Sequence, residues 1–126
     1  MLNKTQLEFA KNDPKSFLLQ YQNITGTIET LLERIDYLER INILADTGNQ
    51  ISALISEISK LNELQTDIFN FLHTTVEDDF LCQLLDMRFF QKTTIKNIAN
   101  RFNYTYRWVV RLQARALKML SERIVL

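Results

Sequence analysis

Arg107, Arg111, Arg115 and Lys118 recur at intervals of four, four and three residues, which lines four cations along one side of any helix they share. Such a side binds polyanions: a guanidinium fork pairs with the O6 and N7 edge of guanine or with phosphate oxygens. The surrounding charge is of the same kind. Residues 88–126 carry nine basic side chains (Arg88, Lys92, Lys96, Arg101, Arg107, Arg111, Arg115, Lys118 and Arg123) and one acid, Glu122, a balance of +8. Residues 1–87 carry six basic side chains against fourteen acidic ones, a balance of −8, so the net charge of zero conceals a division. Either a polyanion-binding end is joined to an end with another task, or the two halves attract each other.

Covalent chemistry finds less material. His73 and Cys82 are the only residues of their kinds, with no second His or Cys at ligand spacing, and two glycines cannot build a phosphate loop. No enzyme, metal or cofactor is expected. His73 reads as a surface or junction histidine without a nucleophile partner. Cys82 sits in an apolar run and reads as a buried thiol, which fits a reducing compartment. Nothing at the start resembles a signal peptide, and no stretch of about 18 uncharged apolar residues offers a membrane span, so a cytoplasmic protein without a membrane partner is expected.

The elements that must position the cationic face are helices. Two Gly and one Pro in 126 residues leave few turn formers, and Leu, Ile, Glu, Gln, Lys and Arg dominate. The first clear helix start is Asn12-Asp13-Pro14, with Asp13 as cap and Pro14 at the first helical position. Phe17, Tyr21, Ile24, Ile28, Leu31, Ile35 and Leu38 then follow at alternating spacings of four and three, a heptad seam. Gly26 is its weak point, where a kink or break would fall. The helix should end around Ala45-Asp46-Thr47-Gly48 with Gly48 as its stop, and Asn49 should cap a second helix carrying Ile51, Leu54, Ile58, Leu61, Leu64, Ile68 and Leu72. Two such helices make an antiparallel hairpin. Leu32, Tyr37, Ile41, Ile55 and Phe69 widen its apolar stripe beyond one seam, a surplus that calls for another surface, either the C-terminal unit or a second copy of the chain. Thr74-Thr75-Val76-Glu77 has capping-box spacing and should start a third helix over 76–90.

Residues 93–120 carry the functional reading. Thr94 caps a short helix with Ile95, Ile98 and Phe102 inward and Ala99 at a close crossing. Asn103-Tyr104 makes a turn through a left-handed Asn, and Thr105 caps the next helix. Val109, Leu112, Ala116, Leu117, Leu120 and Ile124 face inward. Arg107, Val110, Arg111, Ala114 and Lys118 face outward, with Tyr106 and Arg115 at the edges. This is the unit whose second helix enters the major groove. Tyr106, Arg107, Val110 and Arg111 are the expected base-contacting residues. Lys92, Thr94, Lys96, Arg101, Arg115 and Lys118 are the expected phosphate-contacting ones.

Arg88-Phe89-Phe90, Ile98-Ala99, Asn103-Tyr104-Thr105, Val109 and Arg115-Ala116-Leu117 with Leu120 resemble region 4 of bacterial sigma factors. Asn-Tyr-Thr-Tyr-Arg-Trp-Val over 103–109 resembles more closely the ArpU/RinA-like late-gene regulators of Gram-positive phages and prophages. The resemblance covers about 40 C-terminal residues and is generic across 1–75, and Trp108 departs from the Thr usual in sigma region 4. Composition and periodicity predict an all-α fold with a long coiled-coil-like helical hairpin over 1–73 as an oligomerisation or partner arm, and the resemblance implies a sigma region 4-like helix-turn-helix bundle over 74–126. The resemblance also implies a sequence-specific transcriptional regulator that binds double-stranded DNA in a bacterial host, with RNA polymerase as a further expected partner, while the heptad seam and surplus apolar stripe of the hairpin suggest a homodimer. Nothing corresponds to sigma region 2, so promoter melting is not expected. The rival expectations are a small-terminase-like DNA-packaging component and a sigma-like module that binds polymerase or a host protein without DNA.

Overall fold

The computed structural model describes residues 1–41 and 47–126, and among these every regular element is helical. The chain begins with a helix that the sequence reading passes over, α1 (Lys4–Asn12). Asn3 caps it by accepting the N–H of Gln6 at 2.9 Å, and Ala10 buries completely. The first helix start therefore precedes Asp13, which caps the second helix, α2 (Pro14–Ile41). There the Asp13 carboxylate accepts the N–H of Ser16 at 3.2 Å, and its hydrogen bonds to Ser16 hold its pKa below the usual carboxylate value.

No break occurs at Gly26: α2 continues through it, and a Cβ there would meet nothing within 4 Å. The glycine penalty is about 1 kcal/mol. Packing of the flanking seam outweighs it, with Ile24 buried and Tyr21 and Ile28 partly so. The hydroxyls of Thr25, Thr27 and Thr30 donate to the carbonyls of Tyr21, Asn23 and Gly26, four residues back.

The expected turn at Ala45 and Asp46 lies outside the described residues. Beyond it, α3 (Gly48–Thr75) starts earlier than expected: Gly48 is its first residue, with no positive φ, and Asn49 lies inside the first turn instead of capping it. Thr47 takes the capping position, and its hydroxyl donates to the carbonyl of Leu38 at 3.2 Å. The phenyl rings of Phe17 and Phe71 meet edge to face at 5.7 Å, and Gln65 Nε2 donates to Tyr21 O and Thr25 Oγ1. With Leu38 opposite Thr47, these pairings set α3 antiparallel to α2. Leu32, Tyr37, Ile55 and Phe69 remain exposed, Phe69 while leaning on Phe90 and on the ring of His73.

The capping box at Thr74 does not form. The Thr74 hydroxyl donates back to the carbonyl of Asn70, and α3 runs on to Thr75. Burial of Val76 decides this: its N–H completes the last turn on Leu72 O while its side chain enters the core. Asp78 is the cap of α4 (Asp79–Leu85), accepting the N–H of Leu81 at 2.9 Å, with Asp79 in the first turn where the helix dipole favours an anion. The helix then widens into a π-helical turn, Asp86–Phe90. Phe89 is thereby fully buried, while Phe90 stacks on Tyr21 at 4.3 Å. Two further helices, α5 (Ile95–Phe102) and α6 (Tyr106–Glu122), complete the chain.

One core joins these elements. Phe17 and Leu18 of α2, Ile68 and Leu72 of α3, Leu84, Leu85 and Phe89 beyond them, and Ile98, Val109 and Leu120 bury together. It is continuous across residues 73 and 74, both of which lie in the last turn of α3. Each large apolar side chain so buried contributes about 1.5–3 kcal/mol. α1 closes the assembly against α6. Lys11 Nζ donates to Ile124 O at 2.7 Å and Ser121 O at 3.4 Å, and Ser121 Oγ donates to Lys11 O at 2.6 Å. A cation at the carbonyl end of α6 also complements its dipole.

Candidate nucleic-acid interface

Local sequence sets the geometry of α5, the turn and α6. Thr94 Oγ1 accepts the N–H of Asn97 at 3.1 Å and so starts α5. Asn103 stops it in the left-handed conformation, φ 58° and ψ 40°, and Tyr104 N–H returns to Ala99 O at 2.9 Å. Two residues after Asn103, Thr105 Oγ1 accepts the N–H of Trp108 at 3.1 Å and starts α6. Ala99 buries without a long side chain and lets the helices cross closely. The ring of Phe80 meets Phe102 at 5.2 Å and Tyr104 at 5.8 Å, both edge to face, which pins the turn to α4.

Burial divides α6 sharply. Val109, Leu112, Ala116 and Leu120 lie in the core, and Ile124 beyond the helix joins them. Tyr106, Arg107, Val110, Arg111, Ala114, Arg115 and Lys118 are exposed. All four expected base-contacting residues therefore lie on the solvent side of one helix. Of the six expected phosphate-contacting residues, Arg115 and Lys118 share that helix. Lys92, Thr94, Lys96 and Arg101 are exposed on or just before α5. Besides the capping Thr94, two of the cations have partners already: Arg101 reaches Met87 Sδ at 3.7 Å and stands over the Phe102 ring, and Lys118 lies 3.8 Å from Glu122. The latter is an exposed pair one turn apart, worth little in water. Arg107, Arg111 and Arg115 make no ion pair among the described residues. Trp108, to which the sequence reading gave no role, is 41% exposed and lines a cleft of about 200 Å³ with Arg111, Leu112 and Arg115.

His73 is exposed at the junction of α3 with the helices that follow, as expected, but it does not stand alone. His73 Nε2 lies 2.7 Å from Asp86 Oδ2, and Cys82 Sγ lies 3.4 Å from His73 Nδ1. The order thiol, imidazole, carboxylate is that of a cysteine nucleophile with its base. Its electrostatics oppose that use. Cys82 is 7% exposed, and burial first, then the carboxylates of Asp86 and Asp79, pushes its thiol pKa up. Reactive cysteines need the opposite surroundings. What the cluster does is tie the end of α3 to the π-helical turn, helped by Gln91 Nε2 donating to Asp86 Oδ1 at 2.9 Å. The signal available in the sequence was the four-residue spacing of Cys82 and Asp86, which puts both on one helix face; the approach of His73 is tertiary.

Among the described residues no three His, Cys, Asp or Glu are placed to hold a metal ion, and no helix is long and apolar enough to cross a membrane. Compared with known proteins, the chain matches no family model, no curated protein and no solved structure.

Proposed function

We propose that this chain is a sequence-specific regulator of transcription that binds duplex DNA through α5 and α6, used as a helix-turn-helix of the sigma region 4 type, in the manner of the phage late-gene regulators that residues 103–109 resemble. The observation that carries the reading is the outer side of α6: exposed Arg107, Arg111 and Arg115 without an acid to neutralise them, on a helix anchored by a buried Val109, Leu112 and Ala116. A rigid helix with an uncompensated cationic side suits the major groove, and the small Ala114 between the arginines permits close approach. In this reading Tyr106, Arg107, Val110 and Arg111 meet base edges, while Lys92, Thr94, Lys96, Arg101, Arg115 and Lys118 hold phosphates. α2 and α3 serve as an arm for a second copy or for RNA polymerase, supported by exposed Leu32, Tyr37 and Ile55. Sedimentation at micromolar concentration, alone and on DNA, tests the dimer.

The decisive experiment selects duplexes from a randomised pool with the full-length protein and measures their affinity against salt. A recovered consensus, bound with an affinity that falls steeply as salt rises, is expected. Arg107→Ala should then cost about 1–3 kcal/mol on the consensus and little on unrelated duplex, whereas Lys96→Ala should weaken all duplexes alike and lower the salt slope by about one. Failure to enrich or bind any duplex at low salt would falsify the DNA reading.

A further inference from the structure

Trp108 is a large apolar side chain left open on the most cationic helix of the chain, and its surroundings say what it meets. With Arg107 taken as zero, the helical turn puts Lys118 at about 20°, Arg111 at about 40°, Arg115 at about 80° and Trp108 at about 100° around α6. Trp108 and Arg115 thus share one flank, a quarter turn from the centre of the outer side, and Arg111 stands between that flank and the centre. The cleft they line with Leu112 holds about 200 Å³, room for more than a water molecule, whose share of liquid is about 30 Å³. Leu112 is its nearly closed floor and the indole its apolar wall. The indole N–H makes no hydrogen bond among the described residues, and neither guanidinium has a carboxylate partner there. Two guanidiniums, one free N–H and one apolar wall fit an anion attached to an apolar body.

The geometry points to a seat for a single backbone phosphodiester of duplex DNA, in which Arg115 and the indole N–H of Trp108 hold the phosphate, the indole face lies along the adjoining deoxyribose, and Arg111 closes the seat on the side of the groove. This rests on the DNA-binding reading above and adds to it a positioning residue, Trp108. The placement follows from dimensions: a helix with its side chains is about 10–12 Å across and the major groove about 12 Å wide, so the flanks of an inserted helix abut the phosphate strands while its centre faces base edges. Fixing one phosphate on one flank sets the rotation of α6 about its axis, and with it which base edges Arg107 and Val110 can reach.

The test uses the full chain and the duplex it selects from the randomised pool, with each backbone phosphate replaced in turn by a neutral methylphosphonate. One replacement should weaken the unaltered protein roughly ten- to hundredfold, the loss expected for a hydrogen-bonded charge. That same replacement should add almost nothing to the Arg115→Ala protein, and it should weaken the Trp108→Ala protein by less than it weakens the unaltered one, since Arg115 still holds the phosphate there. Arg115→Ala should lower the salt slope by about one, whereas Trp108→Ala, which removes no charge, should weaken binding and leave the slope unchanged. Trp108→Phe keeps the wall without the N–H and should fall between Trp108→Ala and the unaltered protein. Circular dichroism checks that each variant is folded. If every methylphosphonate penalty multiplies independently with both substitutions, no phosphate sits in the cleft and the inference fails while DNA binding stands. A Trp108→Ala loss that follows base identity instead of one phosphate means that the indole touches bases, and it also overturns the seat. If no duplex is selected at all, the DNA reading itself has failed and the seat with it.

Discussion

The outer reach of α2 and α3 and the α5–α6 unit are both amphipathic helix pairs, yet they spend their apolar residues differently. Along α2 after Ile24 only Leu38 is fully withdrawn from water, and along α3 before Ile68 no described side chain of the helix is. Within the much shorter α5 and α6, Ile98, Ala99, Val109, Leu112, Ala116 and Leu120 are all buried. The difference is one of depth. Two helices alone offer each other a single seam, so every side chain on it keeps an open flank, whereas α5 and α6 are backed by α4 and the core shared with α2 and α3. A ribbon can bend or take a partner at little cost. A backed unit holds its exposed cations in fixed register.

Substitution at equivalent seam positions should expose this contrast most strongly. Val109→Asp puts a charge into the closed core and is expected to cost on the order of 4 kcal/mol or more, abolishing the cooperative thermal transition. Leu31→Asp, on the ribbon, should cost only about 1–2 kcal/mol, because the carboxylate can turn to water. Equal losses in the two proteins, read by circular dichroism, would erase the distinction. A smaller effect is expected at the start of α6. Thr105→Ala removes the acceptor for the Trp108 N–H and should lower stability by about 1 kcal/mol in urea denaturation. On the ribbon the sign should reverse: Gly26→Ala adds a methyl into open space on a continuous helix and should raise stability by about 0.5–1 kcal/mol. A loss there would mean that the glycine is needed for bending.

Legibility in the sequence followed the range of the interactions. Thr94, Asn103 and Thr105 could be read because a cap is settled within three residues, and the structure has each in the expected backbone role. The inward side of α6 was equally plain, since Val109, Leu112, Ala116 and Leu120 repeat at helical spacing. Asn3 and Gln6 carried a cap signal of the same kind for α1, but the helix is short and only Leu7, Phe9 and Ala10 follow them. Where a distant contact decided, the reading failed. Thr74 to Glu77 had the spacing of a helix start, and the burial of Val76 overruled it. The π-helical turn at Asp86–Phe90 adds one residue per turn without any mark in composition, and it exists where Phe89 and Phe90 must reach different neighbours. His73, apparently alone, gained Cys82 and Asp86 through the fold. The cleft beside Trp108 has no mark in the sequence, for another reason: the indole stands on the flank of the cationic side, and its exposure depends on how α6 is seated.

The clasp between Lys11 and the end of α6 has a consequence in time. Its partners are separated by 110 and 113 positions along the chain, whereas the other side of α1 rests on the neighbouring α2, where Phe9 meets Phe17 edge to face at 6.1 Å and Gln20 Nε2 donates to Gln6 Oε1 at 3.0 Å. Closing a loop of that length costs roughly 4 kcal/mol of chain entropy, but the shared core of Phe17 and Leu18 with Val109 and Leu120 already closes it, so little of that cost is left to the clasp. The clasp therefore closes late, after α2 and α6 have met. By the same logic it is the first to detach, and amide exchange in α1 and in the final turn of α6 should quicken together.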